Sequence, residues 1–230
     1  MLLLKDRKKG EGINVFHRNY INWNERYFLI KKIINKYAKG KILDIGCGKM
    51  PYKRFFTNID EYIGVDIHPP PDQEDVIEAD AMNLPFKDNS FDTVVSFEVL
   101  EHAPNPFKVF SEISRCLKPK GILILTTPQM WNLHEIPNDY YRFTKYGLKY
   151  LCEQSGLKIV FYEGLGSFWG RVGLKISYKL EGLILLKFSI IKFIGKTIRL
   201  MNNVVFHFIS LKWPTPNDAT GNYIVARKRE

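Results

Sequence analysis

The stretch with the clearest chemical purpose is Lys41 to Lys53, KILDIGCGKMPYK, an apolar run that ends in an acid and two glycines. Ile42, Leu43 and Ile45 have the pattern of a buried strand. Gly46 and Gly48 let the backbone turn tightly and approach a ligand that a side chain would exclude. Asp44 stands two residues before the first glycine, and a second apolar run, Tyr62 to Ile67, reaches Asp66 about twenty residues on. An acid at the end of each of two strands, with a glycine turn after the first, is the arrangement of a cofactor loop. A nicotinamide dinucleotide is disfavoured, because a G-x-G-x-x-G turn would need glycine or alanine where this chain has Pro51.

Alternating strands and helices must hold that loop in place. Residues 13 to 39 carry Ile13, Phe16, Tyr20, Trp23, Tyr27 and Ile30 mostly three or four apart and stop at Gly40, which predicts one or two amphipathic helices before the first strand. After strand two, predicted strands follow at Val76–Glu78, Thr93–Glu98, Ile122–Thr127, Leu157–Tyr162 and Asn222–Arg227. Asn105-Pro106 starts a helix with Phe107, Phe110, Ile113 and Leu117 on one face, and Lys118 to Gly121 ends it. Thr144 caps another, stopped by Gly156. This rhythm implies a mostly parallel sheet covered on both faces, with ligands outside the carboxyl ends of the strands.

Residues 171 to 213 break the rhythm with a long apolar stretch interrupted by Lys187, Lys192, Lys196 and Arg199. No window of eighteen residues is free of charge, so a spanning helix is not expected. Lys192, Lys196 and Arg199 fall within about 60° on a helical wheel, which suits an amphipathic cap over the acceptor or a membrane-surface segment at 180 to 212. The organisation read from the sequence is an N-terminal helical extension (1–40), a core (41–170), this cap or insertion (171–213) and a final core strand (214–230).

Composition bounds the partners. An apolar share of 45% is that of a folded globular chain, and the net charge of +10 favours anionic partners without choosing among nucleic acid, membrane and phosphorylated substrate. Cys47, Cys116 and Cys152 lie far apart, so neither a disulfide framework nor a zinc cluster is indicated, and no metal is expected. The start MLLLKDRKK has its apolar run before its charges, the reverse of a signal peptide. A cytoplasmic protein is expected, with contact at the inner face of the membrane through 180 to 212 as an added expectation.

LDIGCG, YIGVD, EADAMNLPFKDNSFD, VVSFEVLEH and LKPKGILILTTP, in this order, resemble the class I S-adenosylmethionine-dependent methyltransferases of the type 11 methyltransferase-domain kind. The resemblance covers roughly residues 40 to 165. It implies a Rossmann-like three-layer αβα sandwich around a seven-stranded, mostly parallel sheet whose last strand, ATGNYIVARK, is antiparallel. It also implies S-adenosylmethionine as cofactor. Gly46 and Gly48 would then pass under its amino-acid end, with Asp44 beside the ammonium group and Asp66 accepting both ribose hydroxyls. Asp80 would accept from the adenine amino group, Ala81 would offer a backbone N–H, and Ile67 and Met82 would sandwich the ring. Phe97 and Glu98 would border the methyl group. The family commonly has a third glycine where this chain has Met50.

Methyl transfer is mostly alignment in a site closed to water. A hydroxyl acceptor is helped by a general base, for which His102 in EVLEH and His134 in HEIPNDYYRF are the candidates. The HEIPNDYYRFT loop resembles one found in methyltransferases of surface-polysaccharide and lipid-linked sugar pathways. There Tyr140 and Tyr141 would stack on a sugar, and Arg142 would grip a carboxylate or phosphate, unless it pairs with an acid such as Glu135. SFEVLEH replaces the [DN]-P-P-[YFW] run typical of base-amine methylation, so DNA is not an expected partner. The expected acceptor is a small molecule, sugar or lipid-linked compound methylated at oxygen. The alternatives are an RNA or protein acceptor, or a non-catalytic cofactor-fold binding module.

Overall fold

The computed structural model describes residues 14–184, 189–213, 215 and 218–230. MLLLKDRKK, Ile13 and Lys187 lie outside these residues. Among the described residues five α-helices, α1 Tyr20–Tyr37, α2 Pro106–Cys116, α3 Lys145–Gln154, α4 Phe168–Ile184 and α5 Ser189–Lys212, accompany seven strands. The strands are β1 Lys41–Ile45, β2 Glu61–Asp66, β3 Val76–Glu78, β4 Phe91–Phe97, β5 Leu117–Pro128, β6 Leu157–Leu165 and β7 Gly221–Lys228. They form one sheet in the order β3-β2-β1-β4-β5-β7-β6. β1 pairs in parallel with β2 and β4, β2 with β3, and β4 with β5, whereas β7 runs antiparallel to β5. This is the Rossmann-like sheet with a reversed final strand that the resemblance implies.

The strands form where the sequence is apolar on consecutive residues, because a sheet covered on both faces buries both. Leu43, Val65, Val94, Leu123 and Ile224 are fully buried across five neighbouring strands. Phe110, Ile113 and Cys116 of α2 and Leu148 and Cys152 of α3 close over them. α2 begins as its sequence predicts, with the Asn105 side chain accepting from the Lys108 N–H and Pro106 in the first turn. Its end differs. Pro119 has no N–H to continue a helix, and the chain is already extended at Leu117, which pairs with Phe91 of β4. Lys118 to Gly121 therefore belong to β5, with a register shift between Phe91 and Thr93 and a left-handed Lys120 at φ +62°.

The chain divides into two compact units. One holds Lys31–Glu163 and Gly221–Glu230, and so the sheet except for Gly164 and Leu165 of β6. The other joins the described residues up to Ile30 to Gly164–Thr220. This differs from the division expected from sequence, where 1–40 stood alone. The cause is visible inside the second unit: the Thr220 hydroxyl donates to Asn22, and Ile21 lies against Gly173. The 171–213 stretch is a pair of packed helices, α4 and α5, among whose described residues no helix is long and apolar enough to cross a membrane.

Candidate active site

The glycine turn hangs from the carboxyl end of β1. The N–H groups of Gly46 and Cys47 both donate to the Val65 carbonyl, at 2.8 and 3.1 Å, which folds the turn over the neighbouring strand. Gly46 has φ +66°, and a Cβ there would stand 2.3 Å from Val99 Cγ2, so both conformation and space demand glycine. Gly48 has φ +48°, yet nothing lies within 4 Å of where its Cβ would be. Crowding by protein does not explain the second glycine; the open face above it does. Met50 also takes a left-handed conformation, φ +50°. The third position thus keeps the backbone of a glycine and departs only in side chain.

Asp66 ends β2 with both carboxylate oxygens directed by the backbone. Oδ2 accepts from the Gly48 N–H and Oδ1 from the His68 N–H, each at 2.9 Å. A carboxylate has about four lone-pair sites, so two remain for a ligand. Asp80, after β3, accepts from the Met82 N–H through Oδ1 at 2.8 Å and receives the Asn83 N–H on its carbonyl at 2.9 Å. The Ala79 N–H donates to the Asp66 carbonyl at 3.0 Å, tying the two acids' loops together. Ile67, 55% exposed, and the half-buried Ala81 and Met82 line these loops. Asp44 is buried and accepts from the Tyr62 hydroxyl. Burial pushes its carboxyl up to about 7; the Tyr62 hydrogen bond opposes this and the Asp66 charge adds to it. Burial also pushes the Cys47 thiol up to about 12, which makes it unreactive.

A second group follows β4 and β5, adjacent parallel strands. Phe97, half-buried, meets the Tyr52 ring at 4.9 Å, and Glu98, at φ +58°, donates its N–H to the Thr126 carbonyl. Val99, the residue lying on Gly46, leads into a 3-10 turn at Leu100–His102. The Glu101 side chain is fully buried, and its Oε1 is 3.8 Å from Nε2 of both His102 and His134. The two imidazole rings meet edge to face at 4.8 Å between centroids. Nδ1 of His102 lies 2.7 Å from the Asn138 carbonyl, and Nδ1 of His134 lies 3.2 Å from that of Asn132. A carbonyl only accepts, so each Nδ1 donates there, which turns each Nε2 toward Glu101.

Glu101, His102 and His134 are also the group, among the described residues, with the composition to hold a metal ion. Their ligand atoms lie within 4.8 Å of one another, whereas ligands on a tetrahedral ion at 2.0–2.1 Å are about 3.3 Å apart.

Residues 132–142 are pinned above this cluster. The N–H groups of Tyr140 and Tyr141 donate to the Glu101 carbonyl at 2.9 and 3.3 Å, and the Tyr141 hydroxyl donates to that of Pro104. The rings of Tyr140 and Tyr141 remain 47% and 37% exposed, free to take a flat ligand face. Arg142 is the correction. Its guanidinium has five N–H donors, and the bonds made by Nε, Nη1 and Nη2 to Trp131, Asn132, Tyr141 and both oxygens of Asp139 take all of them. It organises the loop and has no donor left for an acceptor. Its acid is Asp139, at 2.6 Å, and not Glu135, which instead faces His102 Nε2 at 3.7 Å. The Arg142 hydrogen bonds hold the Asp139 carboxyl well below the usual carboxylate range.

Sequence reasoning brought together Asp44, Gly46, Gly48, Asp66, Asp80 and the histidines but did not single out Glu101, Asp139 or Tyr62. Glu101 stood beside His102 in EVLEH, and Asp139 stood three before Arg142, the spacing of an ion pair. A separate groove lined by Lys145, Lys149, Lys158 and Arg229 contains no member of either cluster.

Residues 43–125 match the family model described as a methyltransferase domain. An uncharacterized protein of Methanocaldococcus jannaschii is 35% identical over 145 residues, covering 60% of this chain and 64% of its own. Sterol 24-C-methyltransferase ERG6B of Gibberella zeae is 40% identical over 98 residues, 36% of this chain and 26% of its own. The chain thus spans from about a quarter to just under two thirds of the length of these relatives. The crystal structure of the [4+2]-cyclase SpnF superimposes with a TM-score of 0.60 at 21% identity, covering 90% of this chain and 84% of that one, a likeness of fold.

Proposed function

We propose that this chain, which belongs to the S-adenosylmethionine-dependent class I methyltransferases through its methyltransferase domain, methylates an oxygen of a small-molecule, sugar or lipid-linked acceptor. The observation that carries the oxygen is the imidazole pair. Two imidazoles, oriented by the carbonyls behind their Nδ1 atoms, turn Nε2 toward one buried carboxyl group after β4 and β5.

The loops fit the cofactor. Gly48 leaves an open face, Asp66 has two spare lone pairs, Asp80 has an Oδ2 that takes none of the bonds above, and Ile67 is exposed beside them. When bound, S-adenosylmethionine supplies a methyl group activated on a sulfonium. Asp66 would take the ribose hydroxyls, Asp80 and the Ala81 N–H the adenine edge, and Ile67 and Met82 its faces. Gly46 and Gly48 would pass under the amino-acid end, with Asp44 on the side of its ammonium group. Phe97 and Glu98 would border the methyl group. His102 or His134 takes the acceptor's hydroxyl proton on Nε2, and the Glu101 carboxylate stabilises the imidazolium so formed. Tyr140 and Tyr141 cover the acceptor and exclude water. A lipid-class acceptor is supported by the sterol methyltransferase among the relatives, although that enzyme's name assigns its methyl group to carbon.

Incubation of the protein and methyl-labelled S-adenosylmethionine with separated lipid, glycan, RNA and protein fractions tests this reading. Label is expected in lipid or glycan, as a methyl ether or ester. Label in RNA or protein alone would assign the other acceptor class. Absence of any heat on titration with S-adenosylhomocysteine would remove the cofactor itself.

A further inference from the structure

The α4–α5 pair is built with its polarity reversed relative to a helix pair in water. The face of α5 that turns inward carries Arg199, Asn202, Asn203 and Ser210, all buried. They meet polar or small partners on α4 and just before it. The Ser167 and Ser210 hydroxyls bond at 2.8 Å, Ser177 donates to Asn203 at 2.8 Å, and the Asn202 amide donates to the Gly173 carbonyl at 2.8 Å. Arg199 pairs with Glu181 at 2.7 Å, so it does not join Lys192 and Lys196 on the surface as a helical wheel alone suggests. Gly173 lets the helices touch, since a Cβ there would stand 2.4 Å from Phe206.

The opposite face is mostly apolar, with Thr197 within it and Lys212 at its end. Ile194, Ile198, Met201, Val205, Phe208 and Leu211 are 43 to 65% exposed and follow one another three or four residues apart. At about 100° per residue they occupy an arc of roughly 140°. In water the stable order is the reverse, with apolar groups inside and polar groups out. Small and hydrogen-bonding residues between helices, with apolar residues outside, is the order that suits a lipid environment. Among its described residues α5 has no acid; Lys212 is exposed within the arc at the helix end, Lys192 and Lys196 are exposed on the side away from the arc, and Lys175 and Lys179 are exposed on α4. The acid of α4, Glu181, is occupied by Arg199. Trp213, 53% exposed, stands at the end of the helix, where an interfacial aromatic anchors.

We infer that the outer face of α5 lies in the surface of an anionic lipid bilayer, with the apolar arc among the acyl chains and Lys212 and Trp213 at the headgroups. The helix lies on the membrane and does not span it, since no helix among the described residues is long and apolar enough to cross. This inference does not rest on the acceptor being a lipid; it would bring the catalytic unit to a membrane whatever it methylates.

The test is co-sedimentation of the full chain with phosphatidylcholine vesicles, with and without 30% phosphatidylglycerol. Binding is expected to be at least tenfold tighter with the anionic lipid and to weaken in high salt. The double variant Ile198→Glu/Phe208→Glu is expected to lose at least tenfold in binding, while Ile198→Leu/Phe208→Leu keeps it. Both positions are exposed, so the variants should retain the wild-type circular dichroism and S-adenosylhomocysteine affinity. If the first pair disturbs the fold, Met201→Glu/Leu211→Glu on the same face replaces it. Wild type that sediments with neither vesicle overturns the inference, as does equal binding by wild type and a folded glutamate variant. A dimer in light scattering that the glutamate pair dissolves, without vesicle binding by wild type, would instead assign the face to a second copy.

Discussion

Asp44 offers the sharpest test of how the cofactor loop works. In the empty loop its carboxyl is pushed up to about 7 by burial. If the ligand's ammonium group lies beside it, binding must drive the proton off, and affinity then follows the fraction already ionised. For a carboxyl near 7 that fraction is about 0.9 at pH 8 and about 0.1 at pH 6, so affinity falls about tenfold over the interval, or roughly 1.4 kcal/mol. Asp44→Asn keeps an oxygen to accept from Tyr62 and removes the titration. Its affinity for S-adenosylhomocysteine is expected to be weaker than wild type at pH 8 and to show no Asp44-dependent slope. Calorimetry in two buffers of different ionisation enthalpy counts the protons. The ligand's own amine titrates against both proteins, so the difference between them isolates Asp44, at about 0.9 proton released at pH 6 and about 0.1 at pH 8. The sign also fixes stability. The folded pKa is raised above the ordinary 3.8, so the folded state holds a proton that the unfolded chain gives up, and stability falls as pH rises from about 4 to 7. At pH 8 the ligand-free Asn variant should be the more stable protein, by about 1–3 kcal/mol after allowance for a weaker Tyr62 bond. Identical proton release by wild type and variant at pH 6 would refute the placement of the ammonium beside Asp44.

Other substitutions separate the remaining roles. Gly46→Ala places a Cβ 2.3 Å from Val99 at φ +66° and should cost more than about 2 kcal/mol in urea unfolding. Gly48→Ala meets open space and should cost only about 1–2 kcal/mol of strain, yet lose at least tenfold in cofactor affinity; unchanged affinity would mean that nothing binds over that face. Met50→Gly relieves a left-handed residue and should raise the urea midpoint slightly, by up to about 1 kcal/mol, with cofactor affinity unchanged. Of His102→Asn and His134→Asn, the one that removes the base should lower kcat at least 100-fold with S-adenosylhomocysteine affinity unchanged, and EDTA should leave wild-type activity intact. Loss of activity on chelation, restored by one divalent ion, would turn Glu101, His102 and His134 into a metal centre.

The parts of the fold that were legible are those whose signal is local. Strand centres came from consecutive apolar residues, α2 from Asn105-Pro106, and the cofactor loop from an acid and two glycines at fixed spacing. Lys118 to Gly121 were read as a helix stop because proline and glycine do end helices; that the same residues enter β5 depends on Phe91 pairing with Leu117, a contact between segments far apart in the chain. Arg142 was left undecided between an acceptor and an acid for a similar reason. An arginine in a polar loop looks available, and only the three-dimensional course of the loop brings three carbonyls and Asp139 to its five donors. Met50 shows the opposite case. The family's third glycine is absent, yet Met50 takes a left-handed conformation at that place and bears its cost.

The two clusters differ in a way that explains why the cofactor is easier to read than the acceptor. Asp66 and Asp80 are directed by backbone N–H groups one or two residues away or by the glycine turn, so motif and geometry are nearly the same thing. His102 and His134 come from loops after two different strands and acquire meaning only when Glu101 lies between them. A base assembled across loops can be moved by changes in loop length while the sheet stays intact, and the SpnF cyclase shares this chain's fold with a different named chemistry. The acceptor must therefore be sought in what the 132–142 loop covers and not in the sheet. Arg142 gives a way to do so without touching a group that meets substrate: Arg142→Lys removes the two-pronged grip on Asp139 and should loosen the loop. A rise in KM for the acceptor, with cofactor affinity unchanged, would place the acceptor under that loop; a rise in cofactor Kd instead would show the loop to belong to the cofactor side.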